Sequence, residues 1–282
     1  MTITVSLINM KGGVGKTTLA TQLVHAADSR GLRVLAVDLD PQSNLSQSLL
    51  GVHDYVQLLK NNKPTVSDLF ENYLPPNLQT GSASPTDINE VIIKNVGYRI
   101  GRTTLDLIPS RLELSHTLKN PTGKERRLSK SLSKVSNQYD LILLDCAPTE
   151  SILTEAAYHA SRYVLIPVKP EFMATIGLPL LVRSVNAFKY ENADHSIDIC
   201  GIVFNHSSTY SDGPEGETSI KEVKAEAKKN NWHIYKTHIR YSGSYAKSAR
   251  ETAPIGQTSY ARTEVINEFS GFANEFFTSI GV

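Results

Sequence analysis

Lys11-Gly-Gly-Val-Gly-Lys-Thr-Thr18 decides how this 282-residue chain is read. The run follows a short apolar stretch, Ile3 to Ile8, and precedes a helix-length segment, Lys16 to Ala27. A glycine-rich turn between strand and helix aims successive backbone N–H groups, and the positive end of the helix dipole, at one point, which favours phosphate. The backbone of Gly12, Gly13, Val14, Gly15 and Thr18 forms the cradle, Lys16 supplies charge for β- and γ-phosphates, and Thr17 supplies a hydroxyl for Mg²⁺. The usual Gly-x-x-x-x-Gly-Lys-[Ser/Thr] spacing nevertheless fails, because its first glycine would fall on Met10. A second lysine stands at Lys11 instead, with little use inside its own site because Lys16 already serves the phosphates.

Outward from the loop, apolar runs rich in Val, Ile and Leu recur at Val34 to Leu39, Leu105 to Ile108, Leu141 to Leu144, Tyr163 to Val168, Ile199 to Phe204 and Ile234 to Ile239. Unbroken apolar runs suit strands covered on both faces, as in a parallel sheet. Helix-length segments separate most of them: Ser151 to Ala160, Leu178 to Lys189 and Ser219 to Lys229. The alternation predicts a doubly wound α/β fold, a mostly parallel sheet with helices on both faces. Length and 40% hydrophobic content suit one domain over 1–282, with surface excursions near 74–86 and 205–217.

Two further stretches place carboxylates at strand ends. Asp38 and Asp40 lie two apart, so both are expected to share a face and point at the loop. Asp145 closes the apolar run Leu141-Ile-Leu-Leu, a weak signal alone and a stronger one in this order.

Lys-Gly-Gly-x-Gly-Lys-Thr-Thr resembles the deviant Walker A box of the ParA/MinD superfamily of P-loop NTPases. The likeness continues through Thr65-Val-Ser-Asp-Leu-Phe70, Leu107-Ile-Pro-Ser110 and Ile166 to Leu178, and only partly through Cys146-Ala-Pro-Thr-Glu-Ser151. It implies an Mg²⁺-dependent ATPase whose ATP-bound homodimer sandwiches the nucleotide, with Lys11 reaching the partner's phosphates. By the same resemblance, Asp38 supports the Mg²⁺ shell, Asp40 orients the attacking water and Asp145 holds Mg²⁺ directly or through water. Asn205 is either an adenine contact or a plain turn asparagine.

Global charge, +1 with pI about 7.8, argues for neither nucleic acid nor membrane. Cys146 and Cys200 are too few for a disulfide framework and read as buried hydrophobes. The start of the chain shows no leader pattern, so a cytosolic protein is expected, and the resemblance implies that it associates with the nucleoid. The last helix, Thr263 to Phe277, presents Val265, Phe269, Phe272 and Phe276 on one side and only acidic charges, Glu264, Glu268 and Glu275, which an anionic bilayer would repel. From Thr218 to Arg262, nine Lys/Arg and three Glu give +6 against −5 for the rest of the chain. Lys221, Lys224 and Lys228 lie on one helix face, while Ile220, Val223 and Ala227 form the packing face. Together with Lys247 and Arg250 they are the candidate contacts for non-specific double-stranded DNA, in the part of the chain where the resemblance places them. A second cluster, Arg126, Arg127, Lys130 and Lys134, is less specific. No helix-turn-helix segment precedes the first strand, so operator recognition is not expected.

The expected function is partition of plasmid or chromosomal DNA with a ParB-like partner. Positioning of a protein cargo is an alternative, as is a MinD-like membrane-associated ATPase. An ATP-dependent amide-forming synthase on the same loop is a further reading, for which the sequence offers no recognisable polar substrate pocket.

Overall fold

The computed structural model describes residues 2–71, 86–97, 104–171, 174–207 and 213–282. Seven strands form one parallel sheet: β1 (Ile3–Leu7), β2 (Val34–Leu39), β3 (Leu105–Ile108), β4 (Leu141–Cys146), β5 (Tyr163–Val168), β6 (Asp198–Ser207) and β7 (Ile239–Arg240). Their spatial order is β3-β2-β4-β1-β5-β6-β7, every pairing parallel. All residues of β2 and β4 are buried, which is why these strands read as unbroken apolar runs.

Alternate residues feed two cores. Leu35, Val37, Leu39, Ile142 and Leu144 face one side, with Leu153, Val185, Val223 and Ala227 from the helices there. Val34, Ala36, Leu141 and Leu143 face the other, against helix Lys16–Ser29 and the last helix, Thr263–Ile280. The chain leaves β1 toward β2 on one side and β4 toward β5 on the other, so the winding reverses between β1 and β4. The crevice at such a switch point, beyond the carboxyl ends of the strands, is where this architecture binds ligands.

The last helix packs as its pattern predicts, with Phe269, Phe272, Phe276 and Phe277 buried. Its carboxylates are structural: Glu268 accepts from the Arg240 backbone N–H at 2.6 Å and from Arg240 Nε at 2.8 Å. Glu275 accepts from the N–H groups of Lys236 and Thr237 at 2.7 and 3.1 Å. This diversion of two backbone donors explains a departure from the sequence reading. The expected strand Ile234 to Ile239 shrinks to Ile239–Arg240, with a lone bridge between Ile234 and Ile202.

The excursion expected at 205–217 is also shorter, since β6 runs through Ser207 and a helix starts at Gly213. The one expected at 74–86 lies, Thr86 excepted, outside the described residues. Helix Ala174–Glu191 begins before the expected Leu178 and contains Pro179, whose ring made the earlier start illegible. Both cysteines are free and buried, as read.

Candidate nucleotide site at the sheet's switch point

The loop leaves β1 under tight control. Asn9 donates to Pro167 O at 2.7 Å and accepts the Lys11 N–H at 2.9 Å, tying the loop's first residues to β5. Gly13 and Gly15 hold φ of 74° and 85°, the left-handed region that glycine enters without steric cost. Gly15 has a second reason to lack a side chain: a Cβ there would lie 2.1 Å from Asn205 Nδ2 and 3.3 Å from His206 Nε2. Asn205, buried in β6, donates to Val14 O at 2.8 Å. It therefore braces the loop from below and is no turn asparagine.

Lys16 opens the helix behind the loop and is only 7% exposed. Its ammonium donates to the carbonyls of Asn9 and Lys11 at 2.9 and 3.2 Å. Burial pulls its pKa down, while Asp145 opposes that shift. Asp145 lies in register with Leu7 of β1 and Asp38 of β2. Neither of its carboxylate oxygens has a hydrogen-bond partner among the described residues, and both are buried. The Thr17 hydroxyl approaches without closing a bond of normal geometry. Burial, and next the charge of Asp38, push the Asp145 carboxyl up to about 8.

Asp38 departs from expectation. Its Oδ2 accepts from the Ser46 N–H and hydroxyl at 2.8 and 2.7 Å, and Oδ1 from the Asp40 N–H at 3.1 Å. Burial still raises it to about 6, against those bonds. Its oxygens are thus spent on the chain between Asp40 and Ser46, so it does not share the open crevice with Asp40. Asp40 does line the crevice, with Gly12, Gly13, Lys16, Thr17 and Pro148, around a volume of about 520 Å³. That is within the range of small-molecule sites, roughly 300–1,000 Å³. A larger cleft, about 760 Å³ between Leu49, Gln57 and Val96, holds neither the loop nor its carboxylates.

The donor set fits Mg²⁺: a hard cation takes oxygen ligands, and a doubly orphaned buried carboxylate beside a threonine hydroxyl is otherwise costly.

Lys11 is the other departure. The sequence leaves it without an intrachain role, yet its ammonium pairs with Glu171, just after β5. Sequence reading also passed over Asn9 and His206, whose φ of 57° turns its ring against Gly15 and edge-on to Tyr241 at 5.6 Å. The signal for Asn9 was local, a polar residue between strand and loop. Nothing local marks Glu171.

The basic residues do not make one surface. Lys221, Lys224 and Lys228 are exposed on helix Gly213–Lys229, whose Val223 and Ala227 enter the core on one side of the sheet. Lys247 and Arg250 lie on helix Gly243–Glu251, whose Tyr245 enters the core on the other side. Lys247 is moreover seated over the Tyr260 ring at 3.7 Å and 3.7 Å from Glu251. In the second cluster, Arg127 donates to Phe70 O.

The family model described as an AAA domain, AAA_31, matches residues 2–199. Over 216 residues the chain is 32% identical to the uncharacterized protein MJECL24 of Methanocaldococcus jannaschii, covering 76% of each chain. Over 213 residues it is 33% identical to the chromosome-partitioning ATPase Soj of Treponema pallidum, covering 73% of this chain and 72% of that one. Among solved structures, the ATP complex of an aspartate-to-alanine variant of Cyanothece McdA superimposes with a TM-score of 0.77 at 19% identity, over 100% of this chain and 97% of that one, a likeness of fold. A glycine cradle, a buried lysine and strand-end aspartates meet at the switch point of a seven-stranded parallel sheet, the family model matches residues 2–199, and the two relatives align at 32% and 33% identity over 76% and 72% of their length: the chain belongs to the ParA-type family of P-loop ATPases.

Proposed function

We propose that residues 1–282 act as one Mg²⁺-dependent ATPase domain that dimerises around ATP, binds DNA without sequence preference and partitions DNA with a ParB-like partner. The observation that carries the reading is the Asp145 carboxylate, buried and unpaired beside Thr17 at the foot of the glycine loop. Thr17 and Asp145 would hold Mg²⁺, which supplies charge neutralisation for the β- and γ-phosphates. The loop's N–H groups hold the phosphates, and Lys16 exchanges the Asn9 and Lys11 carbonyls for them. Asp40 faces the crevice with a free oxygen to orient water, its Oδ1 taken by the Gln42 N–H at 2.8 Å. Asp38 acts behind it, fixing the Asp40 backbone. Lys11, which pairs with Glu171 and is not needed by the phosphates that Lys16 serves, would leave that pair to reach a partner's phosphates.

A relative named as a chromosome-partitioning ATPase supports DNA as the cargo. The exposed Lys221, Lys224 and Lys228 supply the phosphate contacts, and Lys224 and Lys228 line a cleft with Trp232 and Lys236. A membrane partner is disfavoured because the apolar face of the last helix, with Phe269, Phe272, Phe276 and Phe277, is buried in the core and so is not presented to a bilayer. No helix among the described residues is long and apolar enough to cross a membrane.

The test is calorimetric ATP binding with and without Mg²⁺. Lys16→Ala should abolish it, and Asp145→Asn should remove its Mg²⁺ dependence. Wild-type ATP affinity in Lys16→Ala refutes the site.

A further inference from the structure

The Glu171 carboxylate is shared between two lysines: one oxygen takes Lys11, the other Lys169 at 2.8 Å. Its backbone is held as well, since Glu171 O accepts from the Ser219 hydroxyl at 3.0 Å, on the buried side of helix Gly213–Lys229. The Lys11 backbone is held by Asn9, so only the lysine side chain is free to swing. The pair is partly open to solvent, with side chains 25% and 33% exposed, so it breaks at modest cost.

An ammonium committed to Glu171 of its own subunit is withheld from an anion across a dimer contact. We propose that Glu171 is a positioning residue for Lys11, an intrachain counter-ion that restrains it in the monomer and sets how readily the ATP dimer forms. The inference rests on the proposed role of Lys11 in the partner's site. Lys169 tunes it by drawing on the second oxygen of the same carboxylate.

The magnitude follows from population shift. An exposed ion pair alters the availability of Lys11 by about 2–5-fold. A dimer releases two such pairs, so its dissociation constant moves by about 4–25-fold.

The experiment is sedimentation of the full chain with Mg²⁺ and a non-hydrolysable ATP analogue, at low salt and at about 0.5 M, where exposed pairs are screened. Glu171→Gln should tighten the dimer about 4–25-fold at low salt and less at high salt, with monomer affinity for the nucleotide unchanged. Lys169→Gln should weaken the dimer, because Glu171 then serves Lys11 alone. The Lys11→Ala, Glu171→Gln double variant should dimerise no better than Lys11→Ala. A structural role for Glu171 would not give opposite signs for Glu171→Gln and Lys169→Gln. A Glu171→Gln dimer no tighter than wild type, or a Lys169→Gln dimer that is tighter, overturns the counter-ion role while Lys11→Ala still loses the dimer. If Lys11→Ala dimerises normally, the trans reading itself falls, and this inference with it.

Discussion

Gly15→Ala tests the loop where conformation and packing coincide. At φ of 85°, an alanine stays in the left-handed region at a cost of about 1–2 kcal/mol. Its Cβ would also sit 2.1 Å from Asn205 Nδ2, inside any tolerable contact, so the Asn205 amide must move. That movement strands the Val14 carbonyl now held at 2.8 Å, at a further cost of about 1–3 kcal/mol. The sum is a loss of about 2–5 kcal/mol, read by urea unfolding. Nucleotide affinity should fall with it, because the displaced brace lets the Val14–Gly15 peptide leave the cradle. Asn205→Ala in the same chain separates the two costs. The double variant should regain the packing part and retain only the conformational part, so the two substitutions should couple by about 1 kcal/mol or more in a double-mutant cycle. Gly15→Ala within about 0.5 kcal/mol of wild type, with unchanged ATP affinity, would show that neither the backbone conformation nor the Asn205 contact shapes the site.

Asp40→Ala should keep ATP affinity within about 3-fold while hydrolysis falls at least ~10²-fold, since only the group facing the attacking water is lost; single-turnover hydrolysis at the wild-type rate would assign that role elsewhere. His25, buried in helix Lys16–Ser29 with an unpaired Nε2, has its pKa lowered to about 4, chiefly by burial. Its folded value lies below its unfolded one, so its contribution is complete above pH 6.5 and lost as pH falls to about 4, a loss of about 3 kcal/mol. Chemical unfolding across that window should show a slope that His25→Leu flattens, and an unchanged slope refutes the assignment. DNA affinity should require ATP and fall steeply with salt. Replacing Lys221, Lys224 and Lys228 by Glu should reduce the slope of log affinity against log salt by about 5 in the dimer, at ~0.9 per contact. An equal loss from Lys247→Glu alone would move the interface to the opposite side of the sheet.

Much of this molecule was legible locally. Strands buried on both faces declare themselves as unbroken runs such as Val34–Leu39 and Leu141–Cys146, because neither face has to meet water. The phosphate loop was legible because its chemistry is that of adjacent backbone N–H groups at a helix start, all within eight residues. The sequence also placed the aromatic face of the last helix correctly, by its 3.6-residue period. What it could not decide were roles that depend on partners brought near by the sheet. Asp38 and Asp40 share a strand face by spacing, and Ser46, eight residues on, is what turns one into a brace and leaves the other in the crevice. Glu275 takes the N–H groups that an extended β7 would have needed, a competition between segments 38 and 39 residues apart. The lysine stripe and the Lys247–Arg250 pair look contiguous in sequence, yet their helices enter opposite cores. Lys11 looked unemployed within its own chain because its counter-ion lies 160 residues away, beyond β5. Periodicity and turn chemistry are properties of neighbouring residues, whereas the pairing of charges and spare donors belongs to the topology that sets β5 beside β1.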